Sequence, residues 1–379
     1  MENEPIRVLE VIGEMDLGGA ESMIMNLYRC IDREKVQFDF LVHTQRKCAF
    51  DDEIEQLGGR IFHITKFNGR NAIRYYRECN KFFDQHPEIR VVHGHIGSSA
   101  ALYLHAANKH GCYTIAHSHA ANKITDFKSV VWAFFSFPTR YIAKQLFGCS
   151  TEAGQARYGK RAVASKKYKN FNNAIDVSRY AYDYQTRIDM RKSLGLDKDE
   201  ILIGTVGRVS HEKNPEMIYG IFESLAGRKE ETRCIWIGSG EFEDAYRRRI
   251  IDSGYADKII MAGRRNDIPQ LLQALDVLIL PSFFEGLPVT IIEAQAASLP
   301  CVLSDTISRE TAVTDLVTWK SIEDSPEQWA DECINIAKST MHHRTDKKQE
   351  LVNAGYDIKE TAKWLGKFYM EMHNTTIRK

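Results

Sequence analysis

The sequence predicts an α/β protein of two similar domains, each built on a mostly parallel sheet. Three observations predict it. A chain of 379 residues exceeds what one ordinary core organises, since domains usually run from about fifty to about two hundred residues. Short apolar runs alternate with helical patterns along most of the length. The alternation also starts twice with an apolar run ending in glycine, V-L-E-V-I-G at Val8 to Gly13 and I-L-I-G-T-V-G at Ile201 to Gly207.

After the first run, the turn M-D-L-G-G leads into Ala20 to Cys30, where Met23, Ile24, Leu27 and Tyr28 recur at helical spacing. Strand, glycine turn and helix are the first unit of an α/β domain. Further strands are expected at Phe38–Val42, Arg60–Ile64, Val91–His93, Tyr113–Ala116 and Tyr141–Gly148. Helical patterns fill most intervals between them, as parallel pairing requires. From Asn173 to Leu196 the pattern weakens and turns polar, which places the junction there, with domains at 1–180 and 181–357. The second series continues through Cys234–Ile237, Lys258–Met261, Val277–Leu280 and Cys301–Leu303. A helix with Trp364, Leu365, Phe368 and Tyr369 closes the chain.

Composition narrows the function. The 51 basic residues equal the 51 acidic ones, so no long-range positive field favours nucleic acid. The eight cysteines are scattered without C-x-x-C spacing, the usage of a reduced, cytoplasmic protein rather than of a disulfide framework or zinc site. The polar start, Met1 to Pro5, has no signal-peptide pattern. The richest apolar run, Val130 to Phe137, is too short for a bilayer span of about twenty residues.

The strongest local signal is L-I-L-P-S-F-F-E-G-L-P-V-T-I-I-E-A-Q-A-A, Leu278 to Ala297. A strand ends at Pro281, a loop carries Glu285, and a helix starts near Pro288, where a missing N–H costs nothing. Leu287, Val289 and Thr290 lie at that start, whose free N–H groups and partial positive charge suit a phosphate. Glu285 and Glu293 suit hydroxyl recognition, because each carboxylate accepts several hydrogen bonds. Read from this chain alone, the alternative is an exposed Glu285 and a Glu293 that only supports the helix.

In G-R-V-S-H-E-K-N-P, Gly207 to Pro215, Arg208 and Lys213 could reach an anion at the same edge. Surface ion pairs are the equal alternative. In the first domain, Gly18 and Gly19 of G-E-M-D-L-G-G-A-E permit close backbone approach, so a diphosphate could sit there, although the spacing is not that of a dinucleotide fingerprint. V-H-G-H and A-H-S-H-A bring His93, His95, His117 and His119 to strand ends. No acidic or cysteine partner stands at zinc-ligand spacing, so no metal site is expected. His119 is instead expected to meet a sugar hydroxyl or phosphate.

D-L-G-G-A-E, G-R-V-S-H-E-K-N and the pair Glu285 and Glu293 together resemble the retaining GT-B glycosyltransferase family four, most closely its bacterial exopolysaccharide and capsule branch. The resemblance covers nearly the whole chain. It implies a GT-B fold, two Rossmann-like domains facing each other across a central cleft, with the helix at about 358–379 leaving the second domain to pack on the first. It also implies metal-independent, retaining transfer from a UDP-sugar, less often a GDP-sugar, with no cofactor besides that donor. Arg208 and Lys213 would hold the diphosphate, Gly19 would approach it, and His119 would lie near the transferred sugar. Glu285 would contact that sugar, Glu293 the ribose, and Gly263, Arg264 and Arg265 would lie beside the base. The sequence departs from the family at N-A-I-D, where Ala174 stands in place of a common glycine.

The acceptor implied is a saccharide or polyprenyl-diphosphate-linked saccharide for exopolysaccharide, capsule or another surface glycan. The basic and aromatic stretch Asn122 to Arg140 could approach it as a peripheral contact at the cytoplasmic face of the plasma membrane. The rival readings are a UDP-sugar 2-epimerase of similar architecture and a non-catalytic nucleotide-sugar-binding protein. The first would need groups that move a proton at a sugar carbon, and the second would not need the complete charged set.

Overall fold

The computed structural model describes residues 4–119, 134–229, 231–340 and 344–377. It divides into two compact units, Met1–Ala174 with Ile358–Lys379, and Ile175–Asp357.

In the first unit the strands are β1 (Ile6–Ile12), β2 (Val36–Val42), β3 (Arg60–His63), β4 (Val91–Gly94), β5 (Tyr113–Ser118), β6 (Gln145–Gly148) and β7 (Tyr168–Asn170). Among the described residues they form one parallel sheet in the order β3-β2-β1-β4-β5-β6-β7. Alternate side chains face opposite layers. Val8 and Ile12 join the core under the helices Gly19–Cys30 and Ile358–Ile377. Leu9 and Val11 join the core under Ala72–Gln85 and Ala100–Lys109. Glu10 lies in the first of these layers, 1% exposed and in register with His93 of β4.

The second unit has β8 (Ile201–Val206), β9 (Thr232–Ile237), β10 (Ile259–Gly263), β11 (Val277–Leu280), β12 (Cys301–Ser304) and β13 (Val317–Lys320). Their order among the described residues is β10-β9-β8-β11-β12-β13, again parallel. In each unit the order reverses beside the first strand, at β1/β4 and at β8/β11. Such a switch point opens a crevice at the carboxyl edge of an α/β sheet.

Three expectations change. The edge strands β7 and β13, Y-K-N and V-T-W-K, are too short and polar to show as buried runs. Tyr141 and Ile142 belong to the helix Thr139–Ile142 that opens at Pro138, and β6 begins only at Gln145. Residues 175–180 fall in the second unit, where Asp176 caps the helix Val177–Tyr180 and Val177 packs with Leu287 and Ile292.

The polar stretch expected as a linker is also packed. Its helix Tyr184–Ser193 buries Arg187 and Arg191. Arg187 Nη1 donates to the carbonyls of Gln273, Ala274 and Leu275 at 3.0, 3.1 and 2.9 Å, satisfying the end of the helix Ile268–Ala274. Asp276, fully buried, pairs with Arg187 and Arg191 and accepts from the Leu202 N–H at 2.8 Å. This carboxylate therefore ties the start of β8 to β11. The Asp276→Asn variant should lose about 3 kcal/mol, because two buried guanidiniums lose their counter-charge. An unchanged midpoint in urea unfolding would contradict that role.

Candidate active site

In the second unit, β8 and β11 pair in parallel, so the loops that follow them leave the same edge. They touch through the Phe283 N–H, which donates to the Glu212 carbonyl at 2.9 Å. The first loop ends in a 3-10 turn, His211–Lys213, and then Asn214 takes a left-handed conformation, φ 55°. Asparagine tolerates that conformation, and its side chain caps the helix Pro215–Ala226. Lys213 is thereby aimed across the loops, where Nζ lies 2.5 Å from Glu285 Oε1. Ser282 Oγ donates to the same oxygen at 2.7 Å. Arg208 is exposed and makes no ion pair among the described residues.

A second glycine turn, Gly238-Ser239-Gly240 after β9, supports the Arg208 loop. A Cβ on Gly238 would lie 2.0 Å from the Gly207 carbonyl oxygen, and one on Gly240 2.3 Å from that of Val209. Only glycine allows this backbone approach. Sequence reading passed over G-S-G, although it follows a strand and so carried the signal.

The helix Val289–Ala296 starts at Pro288 without a side-chain cap. The Ile291 N–H is taken by the Pro288 carbonyl at 3.0 Å, whereas the N–H groups of Val289 and Thr290 make no backbone bond of this kind among the described residues. Leu287 is buried beside this start and packs with Ile292. Glu293, one turn further on, accepts from the Tyr180 hydroxyl at 2.7 Å. Burial pushes its carboxyl up from the ordinary value, partly offset by that hydroxyl. Gly263 ends β10 with φ 64°. Next to it Arg264 is exposed, while Arg265 is held by Asp267 at 2.6 Å.

In the first unit, Gly18 caps the helix Gly19–Cys30, and nothing lies within 4 Å of where a Cβ on Gly19 would stand. A Cβ on Gly18 would collide with the Glu21 carboxylate, which therefore lies at the helix start. Glu14 and Asp16 pair with Arg46 nearby. The turn expected to receive a diphosphate thus carries three carboxylates and one arginine.

The four histidines come together with two residues that sequence spacing does not suggest, Glu10 and Tyr369. His95 Nε2 lies 2.7 Å from Glu10 Oε2, and His95 Nδ1 lies 2.7 Å from His119 Nε2. Tyr369 donates to Glu10 Oε1 at 3.2 Å, and its oxygen lies 2.6 Å from His93 Nδ1. His93 Nε2 reaches His117 Nδ1 at 3.2 Å. His117 Nε2 and His119 Nδ1 are buried without a partner among the described residues. Ligand atoms of His93, His95 and His117 lie within 4.8 Å of one another, and Glu10 supplies through space the acid missing from the local spacing. Both nitrogens of His93 and both of His95 are, however, already hydrogen-bonded.

Of the acceptor stretch Asn122 to Arg140, residues 122–133 lie outside the described residues. Phe134 and Phe137 are exposed, as is nearby Tyr141, and Arg140 stacks over Phe137. No helix among the described residues is long and apolar enough to cross a membrane. Ala174 is buried without a left-handed backbone, which is why alanine fits where the family commonly has glycine.

Residues 186–357 match the family model of the glycosyl transferases group 1. The putative glycosyltransferase EpsF of Bacillus subtilis (strain 168) is 30% identical over 95% of both chains. An Escherichia coli UDP-Gal:alpha-D-GlcNAc-diphosphoundecaprenol alpha-1,3-galactosyltransferase is 29% identical over 76% of each. Among solved structures, HepE of Anabaena in complex with UDP superposes with a TM-score of 0.79 at 16% identity, covering 96% of this chain and 100% of that one.

Burial holds the four clustered histidines below their ordinary pKa, His95 at about 3. In the native state they stay neutral, whereas in the unfolded chain they take up protons below about pH 6.5. Stability therefore falls as pH falls through that value, by up to about 1.4 kcal/mol per pH unit for each histidine. Glu10, pushed up by burial and pulled back by Tyr369, works in the opposite direction and offsets part of that loss. The melting temperature should accordingly drop steeply between pH 6.5 and 5; a flat profile in calorimetry would contradict the buried, neutral cluster.

Proposed function

The chain belongs to the glycosyl transferases group 1 family, and we propose that it transfers a sugar from a UDP-sugar to a lipid-linked saccharide, with retention and without a metal ion. The observation that carries this reading is the Lys213–Glu285 pair, 2.5 Å long, formed by neighbouring loops at the edge where the helix Val289–Ala296 begins.

In this reading Arg208 and Lys213 neutralise the diphosphate, and the N–H groups of Val289 and Thr290 bind its oxygens at the positive end of the helix. This charge takes the place that a metal ion fills in other transferases. Glu285 leaves Lys213 to accept from hydroxyls of the transferred sugar, and Glu293 accepts from the ribose. Leu287 lines the nucleotide site, with Gly263, Arg264 and Arg265 beside the base. Gly19 lies close to the diphosphate, and His119 meets the transferred sugar.

The reaction breaks the bond between the anomeric carbon and the diphosphate oxygen and forms one to the acceptor oxygen on the same face. The acceptor proton passes to the leaving diphosphate, so no protein nucleophile is assigned.

The lipid-linked acceptor is supported by the relative whose name specifies a diphosphoundecaprenol substrate. Peripheral contact at a cytoplasmic membrane face is supported by exposed Phe134, Phe137 and Tyr141 beside Arg140.

The Lys213→Ala variant should reduce kcat with UDP-glucose or another accepted UDP-sugar by about 100-fold or more. Its melting temperature should move by only a few degrees, since the ion pair is partly exposed. Normal turnover by this variant would remove Lys213 from the diphosphate site.

A further inference from the structure

The hydrogen bonds around Glu10 admit one arrangement of protons when the carboxylate is ionised and the imidazoles are neutral. A carboxylate only accepts, so both neighbours must donate to it. His95 then carries its proton on Nε2 and leaves Nδ1 as an acceptor. His119 must donate to that atom from Nε2, and its own Nδ1 is left bare. On the other branch, Tyr369 donates to Glu10, so His93 donates to the Tyr369 oxygen from Nδ1. Its Nε2 becomes an acceptor, His117 donates from Nδ1, and His117 Nε2 is left bare. The atoms at which the two branches end, His119 Nδ1 and His117 Nε2, are the two nitrogens of the cluster that are buried without a partner among the described residues.

We infer that Glu10 is a positioning residue that fixes His117 and His119, through His93, His95 and Tyr369, as hydrogen-bond acceptors toward a ligand hydroxyl. The inference deepens the reading in which His119 meets the transferred sugar, and it rests on that reading for its ligand. A bare nitrogen accepts from a hydroxyl and offers nothing to a phosphate oxygen, which also only accepts at full ionisation. The histidine end of the first unit therefore suits a sugar hydroxyl rather than a phosphate oxygen.

The tautomers report on this directly. In the full-length protein labelled with 15N-histidine, long-range 1H–15N correlation should show His119 bare at Nδ1 and His117 bare at Nε2, with assignments from His119→Gln and His117→Gln. The Glu10→Gln variant replaces one acceptor by a donor, so one branch should reverse all its tautomers while the other keeps them. Tyr369→Phe keeps the carboxylate and cuts only the second branch, so His119 should stay bare at Nδ1. Wild-type protein with a proton on either terminal nitrogen, or Glu10→Gln with unchanged tautomers, would overturn the inference.

Affinity separates the inference from the reading beneath it. If the reversed branch is that of His119, UDP-glucose should bind Glu10→Gln about tenfold more weakly, with UDP binding unchanged. Reversed tautomers at His119 with unchanged UDP-glucose affinity would uphold the role of Glu10 and remove His119 from the sugar site.

Discussion

Two pairings of strands that are not consecutive in sequence, β1 with β4 and β8 with β11, govern what each unit can do. In a parallel sheet every strand ends at the same edge, and neighbours in the sheet therefore bring their following loops together. The β8/β11 pair sets Lys213 against Glu285 and the backbone of Glu212 against Phe283. The β1/β4 pair sets Glu10 beside His93, and His117 near the end of β5 and His119 just after it reach His93 and His95. Asp276 and its two arginines hold the opposite end of the β8/β11 pair, so a buried charge cluster steadies the strands whose far ends carry the chemistry.

The two units differ electrostatically. The loops of the second unit bring a guanidinium, an ammonium paired with Glu285 and an uncapped helix start to one edge, groups suited to a leaving group that gains negative charge. In the first unit a buried carboxyl is surrounded by neutral imidazoles, and the glycine turn carries Glu21 beside the Glu14–Arg46–Asp16 pairs. In the proposed reading Arg208, Lys213 and the helix start of the second unit serve a diphosphate, while the first unit presents neutral hydrogen-bonding groups.

Much of this was legible in the sequence because it depends on local pattern. Continuous apolar runs such as I-L-I-G-T-V mark buried parallel strands, and Pro288 after a glycine loop marks a helix start. The edge strands Tyr168–Asn170 and Val317–Lys320 escaped because a short polar segment has no such pattern. The buried Arg187 and Arg191 looked like a polar linker, since their partner Asp276 is distant in sequence and only packing reveals that their charge is matched. Tyr369 was read as a core aromatic, which it is, but its hydroxyl meets a glutamate at the other end of the chain. Glu10, isolated in an apolar strand, carried a signal: a charge in a buried run needs a partner.

The most direct test of the proposed donor binding at Arg208 and Lys213 is calorimetric titration of the intact protein with UDP and with a panel of UDP- and GDP-sugars in EDTA. UDP and one UDP-sugar should bind without added metal, and Glu293→Ala should weaken both. Binding that vanishes in EDTA and returns with magnesium would contradict this proposal.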